Sequence, residues 1–148
     1  MSVKIKVIGT PFIEVSGEKL QFPLKKAEAL LYYLTVEGKE NREKLAGLLW
    51  GEKDELSAYN NFRNALYLLR RSLPEDIIVS DRRVVFLQNT ETDLSSIEAV
   101  KDPSVPISAE MCDDLLKGFD IPESAEFGEW LLLARARMKD KLIEHKQY

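Results

Sequence analysis

Cysteine, histidine and long apolar runs are scarce in this 148-residue sequence, and each scarcity excludes a class of site. Because Cys112 is the single cysteine, an intramolecular disulfide is excluded, and we expect its thiol to serve in packing. The single histidine, His145, has no cysteine or second histidine beside it. The sequence therefore offers neither a zinc site nor a histidine-assisted nucleophile, and we expect His145 to be solvated.

Glycine-rich loops, catalytic carboxylate pairs and membrane-spanning stretches are also missing. The 7 glycines form no phosphate-binding loop, and no pair of carboxylates lies in an apolar setting. No apolar run approaches the length of about 18 residues that marks a transmembrane helix, and no signal-peptide pattern opens the chain. The sequence predicts a cytoplasmic protein with no catalytic activity, no metal, no cofactor and no membrane contact.

The net charge of −4 is distributed unevenly along the chain. Residues 1–93 carry 14 basic and 14 acidic side chains, whereas residues 94–148 carry 7 and 11. A local basic surface is therefore compatible with the acidic total, because the distribution of charge matters more than its sum. The arginines that would form this surface are concentrated in a short span: Arg63, Arg70, Arg71, Arg82 and Arg83.

The stretch from residue 57 to residue 73 has the clearest helical pattern in the sequence. Its apolar residues recur at the spacing of one helical face: Phe62, Leu66, Leu69 and Leu73. We predict a helix that buries this face, with Ser57 as its N-cap and Pro74 just beyond its end. The opposite face gathers Asn60, Asn64, Tyr67 and Arg71, with Arg63 and Arg70 on one flank.

This outer face has two interpretations. Most helices with a polar outer face are simply solvated, and that interpretation stays open. However, surface helices usually mix glutamate with lysine or arginine, and this stretch carries no carboxylate. Its amides can pair bidentately with adenine in a DNA major groove, so the composition favours direct readout of DNA bases.

The segments on either side of this helix predict a winged helix. Alternating or β-rich runs predict short strands around residues 3–7, 12–15 and 20–22, and then a hairpin of 77–79 with 84–87. Two further helices are predicted between them, one from Lys25 to near Gly38 and one from an Asn41 N-cap to Trp50. In a winged helix the third helix enters the major groove, and the hairpin arginines, Arg82 and Arg83, meet phosphate or minor groove.

For four residues of the first two helices the sequence also predicts where the side chain lies. Arg42 and Lys44 lie in the first turn of the second helix, where a cation opposes the helix dipole. Their side chains either extend outward into solvent or face an anion such as a DNA phosphate. The helical wheel of the first helix leaves Tyr32 and Tyr33 partly exposed.

Beyond residue 93 the sequence predicts helices. A short piece at 94–100 is interrupted by the proline-containing segment 102–106, and helices follow at 109–116 and from residue 126 to about 146. The last helix has a long apolar stripe: Phe127, Leu131, Ala134, Met138 and Leu142, widened by Trp130 and Leu133. We expect part of this stripe to pack on the preceding domain, at its N-terminal sheet, and the remainder to meet another subunit or further helices.

Several of these segments resemble the bacterial SARP-type transcriptional activators. The resemblance lies in FPLKKAEALL at 22–31, REKLAGLLW at 42–50 and NNFRNALYLLRR at 60–71, which match the N-terminal region of that family. LKGF at 116–119 and EFGEWL at 126–131, with Arg135, resemble the opening of the bacterial transcriptional activator domain that follows it. The resemblance places Asn60, Asn61, Arg63, Asn64 and Tyr67 in a recognition helix and Arg82 and Arg83 in a wing.

The resemblance implies an α+β protein in two domains. Residues 1–93 would be an OmpR/PhoB-like winged-helix DNA-binding domain, and residues 94–148 a tetratricopeptide-like helical pair. The implied partners are double-stranded DNA at directly repeated sites and RNA polymerase. From the apolar stripe of the last helix we further expect a second copy of the chain, bound head to tail on the DNA. The leading hypothesis is a sequence-specific transcriptional regulator. The alternative is a winged helix used as a protein-interaction module without specific DNA binding.

Overall fold

The computed structural model describes residues 2–94, 97 and 108–146, and in them the chain is a mixed α/β protein with two sheets and five helices. The first sheet has the order β3-β2-β1-β7 and the second the order β4-β6-β5. The strands are β1 (Val3–Lys6), β2 (Phe12–Val15), β3 (Glu18–Lys19), β4 (Lys39–Asn41), β5 (Ile78–Ser80), β6 (Val84–Leu87) and β7 (Thr90–Thr92). The helices are α1 (Lys25–Glu37), α2 (Arg42–Trp50), α3 (Glu55–Ser72), α4 (Ala109–Asp113) and α5 (Ala125–Lys146). None of these helices is long and apolar enough to cross a membrane.

Most predicted elements of residues 1–93 are confirmed, with two corrections. Asp54, and not Ser57, is the N-cap of α3, because its Oδ1 accepts the Ser57 backbone amide at 2.8 Å and the helix begins at Glu55. The third strand is Glu18–Lys19 and not 20–22. Ser16 and Gly17 both have positive φ, so the chain reverses within two residues and Glu18 pairs with Val15 at once.

Two strands were not predicted because they lack apolar alternation. β4 reads Lys-Glu-Asn and pairs antiparallel with β6, while β7 reads Thr-Glu-Thr and pairs parallel with β1. Their backbones complete the two sheets, and their side chains are exposed or half-buried. Strand pairing by main-chain hydrogen bonds does not require apolar side chains, so the sequence pattern did not reveal these two strands.

Tyr32 and Tyr33 are buried, contrary to the expectation of partial exposure. The hydroxyl of Tyr32 donates to Glu28 at 2.6 Å, and that of Tyr33 donates to Glu40. Burial, reinforced by these carboxylates, raises the pKa of both phenols. The rings can therefore enter the core because each hydroxyl finds an acceptor there.

The segment after residue 107 differs from a tetratricopeptide-like pair of matched helices. The predicted helix at 109–116 ends at Asp113, and the residues after it pair instead with residues 7–9, just beyond β1. The Leu116 amide donates to the Val7 carbonyl at 2.7 Å, and the Gly9 amide to the Asp114 carbonyl at 2.8 Å. The 5-residue α4 is thus much shorter than the 22-residue α5.

The helix α5 packs on α4 and α2, and its Trp130 ring meets Tyr33 of α1. Part of its stripe therefore packs on the preceding domain as expected, but on these helices and not mainly on the N-terminal sheet. Phe127, Leu131, Ala134 and Met138 are buried as predicted. The Trp130 ring lies 4.6 Å from that of Tyr33, centroid to centroid. The predicted helix at 94–100, the segment 102–106 and the side chains of Leu142 and His145 lie outside the described residues.

One hydrophobic cluster joins both parts of the chain. Besides residues of the sheets and of α1 to α3, it contains Leu94, Cys112 and Phe127. Asp93 fixes the connection, since its two carboxylate oxygens accept the amides of Val7 and Ile8 at 2.9 and 3.0 Å. The hydrogen bonds of Asp93 therefore fix the start of the C-terminal segment beside residues 7 and 8, just after β1.

Candidate nucleic-acid interface

The helix α3 is oriented by burial of one complete face. Phe62, Leu66, Leu69 and Leu73 are all buried, as their spacing predicted, and Ala58 and Ala65 complete the contact surface. The two alanines allow α2 to approach closely, so that α3 packs mainly against α2. The opposite face of α3 is consequently turned to solvent along its whole length.

The exposed face carries the amides and guanidinium groups that the sequence singled out. The exposed members are Asn60, Arg63, Asn64, Tyr67, Arg70 and Arg71. Within the described part of the chain, the side chains of Asn60, Arg63 and Asn64 have no hydrogen-bonding or ion-pair partner. Between Glu55 and Glu75 the chain has no carboxylate that could neutralise them. These three side chains are therefore free to bind an external acceptor.

Three other predicted residues of α3 already have partners in the protein. The Asn61 amide donates to the Ser57 carbonyl at 2.7 Å, so this half-buried side chain is folded back on its own helix. The Arg70 guanidinium donates to the Ile78 carbonyl at 3.2 Å and ties the helix to β5. The Arg71 guanidinium lies 5.8 Å from the centre of the Tyr67 ring, which stays 61% exposed.

The hairpin of β5 and β6 presents the remaining arginines. Arg82 and Arg83 lie in its turn and are exposed. Asp81 holds the turn in shape, because its Oδ1 accepts the backbone amides of Arg83 and Val84 at 2.7 and 2.8 Å. These amide hydrogen bonds, that of Val84 first, keep the pKa of Asp81 below its ordinary value.

The side chain of Arg42 lies between α3 and the hairpin. Its Nε donates to the Tyr59 hydroxyl at 3.0 Å, and its Nη1 donates to Ser80 Oγ and, at 3.3 Å, to the Asp81 carbonyl. The guanidinium carbon also lies 5.4 Å from the centre of the Phe62 ring. Arg42 is therefore held by partners within the protein, half-buried, and it couples the hairpin to α3.

Lys44, by contrast, does extend into solvent. Its side chain is 68% exposed, and its ammonium group lies 3.4 Å from Glu40. The structure thus brings the free groups of α3 and the hairpin arginines to the surface, while Arg42 and Asn61 serve the fold.

The sequence pattern did not reveal the supporting roles of Asp54, Tyr59 and Asp81. A signal existed for Asp54, since aspartate is a strong N-cap residue placed just before a helical stretch. Asp81, at the start of a hairpin turn, is likewise in a position where aspartate often accepts backbone amides. For Tyr59 no comparable signal existed, because its partner Arg42 is 17 residues away.

Comparison with solved structures shows a likeness of fold. No family model matches the sequence, and no curated protein matches it. The solved structure of Mycobacterium tuberculosis EmbR, in complex with a low-affinity phosphopeptide, is similar with a TM-score of 0.57 at 14% sequence identity. The similarity covers 97% of this chain and 43% of the EmbR chain. The chain therefore has the fold of less than half of the EmbR chain.

Proposed function

We propose that this protein is a transcription regulator that binds double-stranded DNA as a winged helix, with α3 as the recognition helix and the β5–β6 hairpin as the wing. The observation that carries the proposal is the exposed face of α3, where Asn60, Arg63 and Asn64 are unpaired within the described residues and no carboxylate neutralises them. Amide and guanidinium groups of this kind read adenine and guanine edges in the major groove. The proposal involves no catalytic step.

Two further arguments support the proposal. The chain follows the order of a winged helix: two packed helices, a third helix with one exposed face, and an adjoining hairpin. In that arrangement the hairpin rests on the DNA backbone as a wing. The likeness of fold to EmbR, a SARP-family regulator, agrees with the resemblance of three segments of this sequence to that family. The same resemblance adds directly repeated DNA sites and RNA polymerase as proposed partners, and the apolar stripe of α5 adds a second copy of the chain on the DNA.

The test begins with selection of a binding site from random-sequence duplex DNA. On the selected site, Arg63→Ala and Asn64→Ala should each cost about 1–3 kcal/mol of binding free energy and should change binding to unrelated DNA less. Arg82→Ala, as a phosphate contact, should weaken binding to all sequences and lower the salt slope by about one unit. Lys117→Ala, an exposed lysine of the C-terminal segment, is the control.

Two results would oppose this function. The first is a selection that enriches no sequence at moderate salt, which would favour the protein-interaction module. The second is an Arg63/Arg82 double variant that binds the selected duplex as tightly as the parent and with the same salt slope.

A further inference from the structure

A groove runs along α2 on the side that faces α5. Three adjoining cavities of about 650, 230 and 420 Å³ form it. Glu126 lines all three, Gly47 and Gly51 line the first two, and Leu48 lines the second and third. Because the lining residues are shared, the cavities form one continuous trough between α2, the start of α3 and the first turns of α5.

The walls of this groove are strongly acidic. Five of its carboxylates have no ion-pair or hydrogen-bonding partner within the described residues: Glu43, Glu55, Glu123, Glu126 and Glu129. The basic side chains along the same walls are Lys44, Lys53 and Arg137, and two of these already pair with Glu40 and Glu37. The groove therefore repels nucleic acid and anionic lipid and attracts a cationic partner.

Apolar side chains stand exposed at two ends of the groove. Leu56, in the first turn of α3, is 73% exposed, and Leu133, on α5, is 66% exposed. Tyr59 and Trp130 line the groove further in, and both are half-buried. An occupant thus meets apolar contacts in the trough and carboxylates along its walls.

Gly47 supplies an independent indication that the groove is built to be filled. It lies in the interior of the 9-residue α2, where glycine costs about 1 kcal/mol relative to alanine. A Cβ atom added at Gly47 would meet nothing within 4 Å, so packing inside the protein does not require glycine there. The missing side chain instead deepens the floor of the trough and lets an occupant approach the α2 backbone.

We infer that this groove binds a basic amphipathic helix of a partner protein. Such a helix would lay its apolar stripe on the trough between Leu56 and Leu133 and direct lysines or arginines to the carboxylates of both walls, in the helix-in-groove mode of recognition. This inference is separate from DNA binding, because it concerns a different surface of opposite charge.

The probe is a fluorescein-labelled leucine–lysine peptide of about five helical turns, patterned so that its leucines share one face. Anisotropy should report saturable binding of this peptide to the full chain. Two control peptides are a scramble of the same composition, in which the leucines share no face, and a leucine–glutamate peptide with the amphipathic pattern. We expect the scramble to bind at least about tenfold more weakly and the acidic peptide not to bind.

Gly47→Ala separates binding from stability. It should raise the midpoint of thermal unfolding by about 2–4 °C, because alanine is the better helix former. It should nevertheless lower the affinity for the peptide by about fivefold, because the added methyl group fills the floor of the groove. The double charge reversal of Glu126→Lys and Glu129→Lys should lower the affinity for the peptide on the order of tenfold. Its matched control is the reversal of Glu75 and Glu91, two exposed carboxylates outside the groove.

Three results would overturn the inference. The first is equal affinity for the patterned and the scrambled peptide. The second is an equal loss of affinity for the peptide in the two double reversals. The third is a Gly47→Ala variant that is more stable but binds the peptide with unchanged affinity. Either of the first two results would show that the protein attracts the peptide by its total charge alone, and the third would show that the peptide does not lie on the floor at Gly47.

The groove variants should bind the selected DNA duplex as the parent does, because they lie outside the proposed DNA-binding surface. The DNA-binding proposal itself is decided by Arg63→Ala, Asn64→Ala and Arg82→Ala.

Discussion

Replacement of Arg42 by methionine tests whether this side chain positions the hairpin against α3. Methionine keeps much of the apolar volume but removes three hydrogen bonds, to Tyr59, Ser80 and Asp81, and the contact with the ring of Phe62. Because the site is half-buried, water can replace part of what is lost, so we expect a cost of about 1–2 kcal/mol. For a chain of this length the thermal midpoint should fall by about 4 °C.

The matched control is Lys44→Met, two residues away on the same helix turn. Its exposed ion pair with Glu40 should be worth less than about 0.5 kcal/mol, so its midpoint should stay near that of the parent. Urea unfolding, followed by circular dichroism, gives both free energies under identical conditions. If the unfolding free energy of Arg42→Met lies within about 0.3 kcal/mol of that of the parent, well below the expected cost, the positioning role is refuted.

The same pair of variants separates two roles of Arg42 on DNA. A direct phosphate contact would be lost without any change in stability, and affinity would fall on every duplex together with the salt slope. A positioning role instead lowers stability and leaves the salt slope nearly unchanged, because no phosphate contact disappears. Arg42→Lys should restore little, since lysine cannot donate in the planar fork geometry that serves Tyr59 and Ser80 together.

Two further predictions concern the caps of α3 and of the hairpin. Asp54→Ala should cost about 1 kcal/mol of unfolding free energy, because it removes the N-cap, whereas Ser57→Ala should cost less than half of that; equal losses would contradict the assignment of the cap. Asp81 has a pKa held below its ordinary value in the folded protein, so its charged form contributes stability above about pH 4 that is lost as the pH falls through the folded pKa. Asp81→Asn should therefore flatten the loss of stability between about pH 4 and pH 2 in urea titrations, and an unchanged acid limb would count against the turn geometry.

The sequence by itself determined the elements whose signal is local. The helix α3 could be predicted because its apolar stripe, from Phe62 to Leu73, repeats at the helical period over about three turns, and such a stripe must be buried. The starts of α1 and α2, the strand Phe12–Val15 and the hairpin were fixed in the same way, by periodicity and by residues such as Asn41 that cap a helix. The exposed positions of Asn60, Arg63 and Asn64 followed directly from the burial of the opposite face.

Only the tertiary structure decided which of the candidate side chains are free. Arg42 and Asn61 were candidates for DNA contact beside Arg63 and Asn64, but the Arg42 guanidinium bonds to Tyr59 and Ser80, and the Asn61 amide bonds to its own helix. The pairing of β4 and β7, the end of α4 and the acidic groove beside Gly47 depend equally on contacts between distant segments. A side chain's periodic position fixes the direction in which it points, whereas its partners are set by the packing of elements far apart in the chain.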